Sequence, residues 1–108
     1  GFAPFQWAPL FPNESPGMCA KKTVLANQRL VIEYLWGGYF QFTDRVMLTT
    51  IAGGESATYT WWLDDKGWFD AQVRLYADPG TSIEVCPFGG LAFGSFVVSG
   101  HLVTLPGN

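Results

Sequence analysis

Between Thr58 and Tyr76 the sequence reads TYTWWLDDKGWFDAQVRLY. Trp62, Trp68 and Tyr76 are interspersed there with Asp70, Gln72 and Arg74. Flat rings set among a carboxylate, an amide and a guanidinium suit two kinds of partner. A sugar stacks its C–H faces on the rings and bonds its hydroxyls to the polar groups. A protein interface prefers Trp, Tyr and Arg as anchors. In a third arrangement, another part of the chain covers these rings.

Other constellations carry less. Asp64, Asp65 and Asp70 lie close together, but their spacing does not match a twelve-residue calcium loop, and acids are ordinary in turns. Asn13-Glu14-Ser15 matches the N-glycosylation tripeptide. The Gly-Gly pairs at 37–38, 53–54 and 89–90 open no helix and lack a following Lys-Ser/Thr, so they are not phosphate loops. His101, the one histidine, sits beside Gly100 in a strand-like run with no nucleophile-elbow motif nearby. No spacing among the nine acids singles out a glycosidase pair. The reading is non-enzymatic, with no catalytic residue, metal or cofactor assigned.

Cys19 and Cys86 are either two buried thiols or one disulfide; the disulfide is the reading adopted here. It closes a loop of about 67 residues, for which chain entropy gives roughly 4 kcal/mol. Two cysteines and His101 do not complete a zinc site.

The chain has 108 residues, enough for one domain with one core. Aromatics make up 17 % and charged residues only 14 %, against about 25 % in average domains. So few charges leave part of the folded surface apolar, and such surfaces usually meet a partner or ligand. Six scattered basic residues and a net charge of −3 make nucleic acid a poor partner. No apolar run reaches the roughly 18 residues that would span a bilayer, so no membrane insertion is expected. A start at Gly1 is compatible with prior removal of a signal, a Met or a tag.

The elements that position these residues read as all-β. Residues 1–18 hold Pro4, Pro9, Pro12 and Pro16, which deny them a helix interior or a central strand. They also hold Phe2, Phe5, Trp7, Leu10 and Phe11. An extended arm with such side chains needs a groove, on its own domain or on a neighbour. Residues 19–108 form the domain itself, with strands expected at 22–26, 29–36, 39–51 (bent near Asp44), 55–64, 68–77, 81–86, 91–99 and 101–105. Short β-prone runs with Gly-rich breaks indicate an antiparallel sandwich, jelly-roll or Ig-like.

Two turns set expected registers. Gly37-Gly38 reads as a hairpin placing Trp36 opposite Tyr39 and Tyr34 opposite Gln41. Asp65-Lys66-Gly67 reads as a three-residue hairpin with Gly67 left-handed and Asp64 opposite Trp68. Pairing outward from it puts Trp61, Tyr59, Leu63, Phe69 and Val73 on the core face. Trp62, Trp68, Asp70, Gln72, Arg74 and Tyr76 then share the outer face.

GGESATYTWWLDDKGWFDAQVRL resembles the rhythm of accessory β-sandwich domains attached to secreted bacterial enzymes. The likeness covers about a fifth of the chain and implies the sandwich alone. The expected function is a structural subunit of an extracellular assembly, of filament or virion shell or decoration type. Its partners would be copies of itself or another assembly protein, met by the arm and the aromatic face. The alternative is a secreted carbohydrate-binding module whose Trp62/Trp68/Tyr76 face takes polysaccharide.

Overall fold

The computed structural model describes residues 2–12, 19–89 and 92–106. The Asn13–Ser15 tripeptide and the rest of 13–18 lie outside the described residues. Nine strands form among the described residues: β1 (Phe2–Trp7), β2 (Leu10–Phe11), β3 (Ala20–Thr23), β4 (Gln28–Gln41), β5 (Arg45–Ala52), β6 (Glu55–Trp62), β7 (Phe69–Ala77), β8 (Ser82–Pro87) and β9 (Phe93–Thr104). No helix is present among the described residues.

The strands make two antiparallel sheets. One has the order β1-β9-β4-β7, with β2 also on β9; the other is β3-β8-β5-β6. From β2 onward, among the described residues, successive strands step from one sheet to the other except at the local hairpin β5–β6. This is the jelly-roll form of the expected sandwich. Residues 2–11 are extended and run along β9 of their own chain, with Phe5 opposite Gly100 and Leu10 opposite Ser95. The prolines are tolerated because this is a sheet edge, where a missing N–H faces outward.

Between the sheets lie Leu30, Ile32, Leu35, Phe40, Val46, Leu48, Ile83, Val85, Phe96 and Val98, all buried, with Phe5, Trp7, Trp61 and Phe69 packed against them. Cys19 and Cys86 are bonded, so the disulfide ties the β3 edge to β8. Such a bond is typical of an oxidising compartment.

Three expectations are corrected. Gly37 and Gly38 are not a turn: β4 runs straight through them, and the left-handed pair is Gly53-Gly54. The first two glycines serve space instead. A Cβ at Gly37 would strike the Phe69 ring, and one at Gly38 would enter the Trp36 ring. Likewise, the expected break at Gly100 is absent, and β9 continues through His101.

The second turn forms locally as expected but does not join a hairpin. Asp64 N donates to Trp68 O at 2.9 Å, and Gly67 has φ +80°. Yet β6 pairs with β5 and β7 with β4, so the loop arches from one sheet to the other. An arch keeps the inward or outward sense of each side chain while separating the strands. Trp61 and Phe69 still face inward and stack at 6.1 Å between centroids. Beyond Asp64 and Trp68, β6 and β7 do not pair with each other.

Candidate functional site

The arch divides the expected binding face. Asp70, Gln72, Arg74 and Tyr76 lie outward on β7 of one sheet, while Trp62 lies outward on β6 of the other. The six residues therefore do not form one surface. Within the N-terminal arm, Phe11 is buried and Phe5 and Trp7 pack on the chain's own core, leaving Phe2 and Leu10 exposed.

A different grouping appears at one end of the sandwich. The β4–β5, β6–β7 and β8–β9 connections all fall there, and the β3–β4, β5–β6 and β7–β8 connections fall at the other. Of the twelve exposed large hydrophobic residues described, seven gather at the first end: Leu10, Tyr39, Phe42, Trp62, Trp68, Phe88 and Phe93. The opposite end has Leu25 and Phe2, which pairs with Val103 near the end of β9, and its connections carry Asn27, Gly53, Gly54, Asp78, Pro79 and Gly80.

The aromatic end has three parts. On the β4–β7 side, Trp36, Tyr39 and Trp68 meet edge to face, with centroids 4.9–6.3 Å apart. In the middle, Phe42 meets Phe93 at 5.8 Å. On the β5–β6 side, the Arg45 guanidinium lies 3.6 Å over Phe88 and 4.9 Å from Trp62. Arg45 is flanked this way because Trp62 is its β6 partner and Phe88 N donates to its carbonyl.

The supporting loops are tied down. The Asp64 carboxylate accepts the N–H groups of Lys66 at 2.9 Å and Trp68 at 3.0 Å. Phe40 N donates to Gly67 O, and Leu63 N donates to Asp44 O. Such bonds fix a loop on its scaffold rather than leaving it free to adapt.

Strain sits at the same end. Tyr39 and Phe42 have φ values of 59° and 65°, in the left-handed region that costs a non-glycine residue about 1–2 kcal/mol. The β4–β9 register shifts between Gly38 and Gln41, around Tyr39. Bulges re-aim side chains, and here the result is exposure: Tyr39 is 65 % and Phe42 70 % accessible. Strain that turns large rings toward solvent, where each keeps only edge contacts with its neighbours, marks these two residues as functional candidates.

Beside the first cluster, a shallow hollow of about 200 Å³ is lined by Trp36, Asp64, Trp68, Phe69 and Asp70. Tyr34 donates its hydroxyl to Asp70 at 3.0 Å, which raises its pKa above the ordinary 10.0. His101 lies elsewhere on that sheet, bonded to Glu33 at 2.8 Å and edge-on to Phe2.

Trp36, Tyr39, Phe42, Arg45, Phe88 and Phe93 were not among the expected site residues. A signal for three of them, Phe42, Phe88 and Phe93, does exist. In a sandwich whose strands run alternately up and down, every second break shares an end. The breaks at 42–44, 63–68 and 88–92 carry aromatics at or beside them, and those at 24–27, 53–54 and 78–81 carry none within them. No family model matches the chain, and no curated protein matches it.

Proposed function

We propose that the chain is a non-enzymatic structural subunit of an extracellular assembly, of filament or virion shell or decoration type, that meets neighbouring copies through its aromatic end. The observation that carries this reading is the strained exposure of Tyr39 and Phe42 within that cluster. Phenylalanines offer a sugar no hydrogen bond, whereas Phe42, Phe88 and Phe93 with a stacked Arg45 suit a desolvated protein contact. The disulfide agrees with an extracellular setting.

Magnitude limits the contact. Full burial of a large apolar side chain contributes roughly 1.5–3 kcal/mol, and the rings of Tyr39, Phe42, Trp62, Trp68, Phe88 and Phe93 are about half exposed, so together they contribute about 5–9 kcal/mol. Association costs about 4–15 kcal/mol in lost freedom. One end alone therefore gives weak pairing, and an array of contacts gives strong binding through effective concentration. Sedimentation velocity over a concentration series tests this: the wild-type chain associates, and Tyr39→Asn/Phe42→Asn associates at least about tenfold more weakly through this end. A wild-type chain that stays monomeric throughout sinks the proposal.

The alternative carbohydrate reading is favoured by one observation, the Trp36/Trp68 hollow with Asp64 and Asp70 at its rim. It predicts retention on an insoluble polysaccharide that Trp68→Ala abolishes without unfolding the domain. No retention in a broad polysaccharide screen removes it.

A further inference from the structure

Among the described residues the four sheet edges are β1 with β2, β7, β3 and β6. An edge strand presents unpaired N–H and C=O groups, and proteins guard such strands with proline, lysine, charge, bulges or short length. Three of the edges carry these guards. Pro4 lies in β1, and Ala8-Pro9 separates β1 from β2. β3 has four residues, two of them Lys21 and Lys22. β7 carries Asp70 and Arg74, with a register irregularity opposite Glu33. β6, with the sequence ESATYTWW, is eight residues long and has no charge after Glu55, no proline and no register shift against β5.

The unpaired groups of β6 can be located. The Gly53-Gly54 turn has both φ values positive and closes on the pair Ala52–Glu55. A two-residue turn of this kind makes its flanking pair a hydrogen-bonded one, and such pairs recur at every second residue. Glu55, Ala57, Tyr59 and Trp61 thus bond to β5. Ser56, Thr58, Thr60 and Trp62 direct their N–H and C=O groups outward. The side chains of Ala57 and Tyr59 are also exposed, although their β5 partners Thr50 and Leu48 are buried. The opposite sheet does not cover the inner flank of β6.

We propose that β6 pairs antiparallel with β6 of a second copy, across a two-fold axis at Tyr59. The sequence is self-complementary in this register. Tyr59 meets Tyr59, Trp61 meets Ala57, Trp62 meets Ser56, and Thr60 meets Thr58. Each tryptophan faces a small residue. The hydrogen-bonded pairs of the new ladder, 56 with 62 and 58 with 60, fall on the four residues whose groups are free. No like charges are juxtaposed, because the two Glu55 side chains lie at opposite ends of the joint. The result is a continuous eight-stranded sheet across two molecules, formed along the β6 edge and sharing only Trp62 with the aromatic end.

The experiment uses the full chain with single substitutions. Tyr59→Cys puts two sulfurs across a non-hydrogen-bonded pair, with Cα atoms about 4.5 Å apart, within disulfide reach. Thr58→Cys puts them on a diagonal about 7–8 Å apart. Under mild oxidation Tyr59→Cys should cross-link into dimers at least about tenfold faster than Thr58→Cys. Thr60→Pro deletes one outward N–H at a position where an edge strand accepts proline, so it should weaken dimerisation about tenfold or more while the unfolding midpoint holds. Association through the aromatic end does not bring two Tyr59 residues together, so cross-linking in the Tyr39→Asn/Phe42→Asn background separates the two contacts. Equal cross-linking rates, or a wild-type dimer insensitive to Thr60→Pro, overturn the proposal.

Discussion

Gly67 and Gly54 have nearly the same backbone conformation, with φ +80° and +78°, yet their substitution by alanine should differ sharply. Around Gly54 an added Cβ meets nothing within 4 Å. Gly54→Ala therefore adds only left-handed strain, about 1–2 kcal/mol, part of which the stiffer unfolded chain offsets. At Gly67 the same Cβ would overlap the Phe40 carbonyl oxygen and lie 2.9 Å from Phe40 N. That neighbour is the backbone of a buried residue and has no rotamer by which to retreat. The Phe40 N–H to Gly67 O bond is lost as well, about 1 kcal/mol, and the overlap itself adds about 1–3 kcal/mol. The total for Gly67→Ala is about 3–5 kcal/mol, against about 1 kcal/mol for Gly54→Ala. Urea unfolding followed by tryptophan fluorescence measures both, and the difference corresponds to a midpoint gap of roughly 10 °C or more on heating. Losses equal to within about 0.5 kcal/mol would refute the claim that Gly67 is required by contact as well as by conformation.

Two further outcomes follow from the same physics. Removing the 67-residue cross-link by Cys19→Ala/Cys86→Ala should lower stability by roughly 4 kcal/mol in urea melts, with the sandwich retained in far-ultraviolet circular dichroism. Tyr34 should titrate above the ordinary 10.0, because its hydroxyl donates to Asp70 and the neighbouring carboxylate opposes a second negative charge. The stability from this bond is therefore complete below pH 10 and is lost as pH rises through the raised value. Absorbance titration assigned with Tyr34→Phe should show the midpoint return toward the ordinary value in Asp70→Asn.

The sandwich was legible because side-chain alternation survives any pairing. Asp70, Gln72, Arg74 and Tyr76 point outward and Phe69, Val73 and Leu75 inward, as the alternation requires, although β7 pairs with β4 rather than β6. Partner choice was not legible, because the Asp64–Gly67 loop closes alike in a hairpin and an arch; only the rest of the sheet decides. Gly37-Gly38 misled for a related reason. Glycine signals either positive φ or missing volume, and local sequence does not tell which until the Phe69 and Trp36 rings are placed. The aromatic end stayed hidden because its members come from three separate breaks. The unguarded β6 edge needed the sheet order before its lack of charge had meaning.

The central claim is that the strained rings of Tyr39 and Phe42 exist for a partner and not for the fold. Paired measurement of stability and sedimentation on Tyr39→Asn/Phe42→Asn tests it most directly. Asparagine tolerates the left-handed region, so relieved strain of about 1 kcal/mol per site should offset the lost edge contacts with Trp68 and Phe93. The unfolding midpoint should hold or rise, while association of the variant falls to no more than the β6–β6 pair. Association unchanged in the variant, or a domain that unfolds without these two rings, would contradict it.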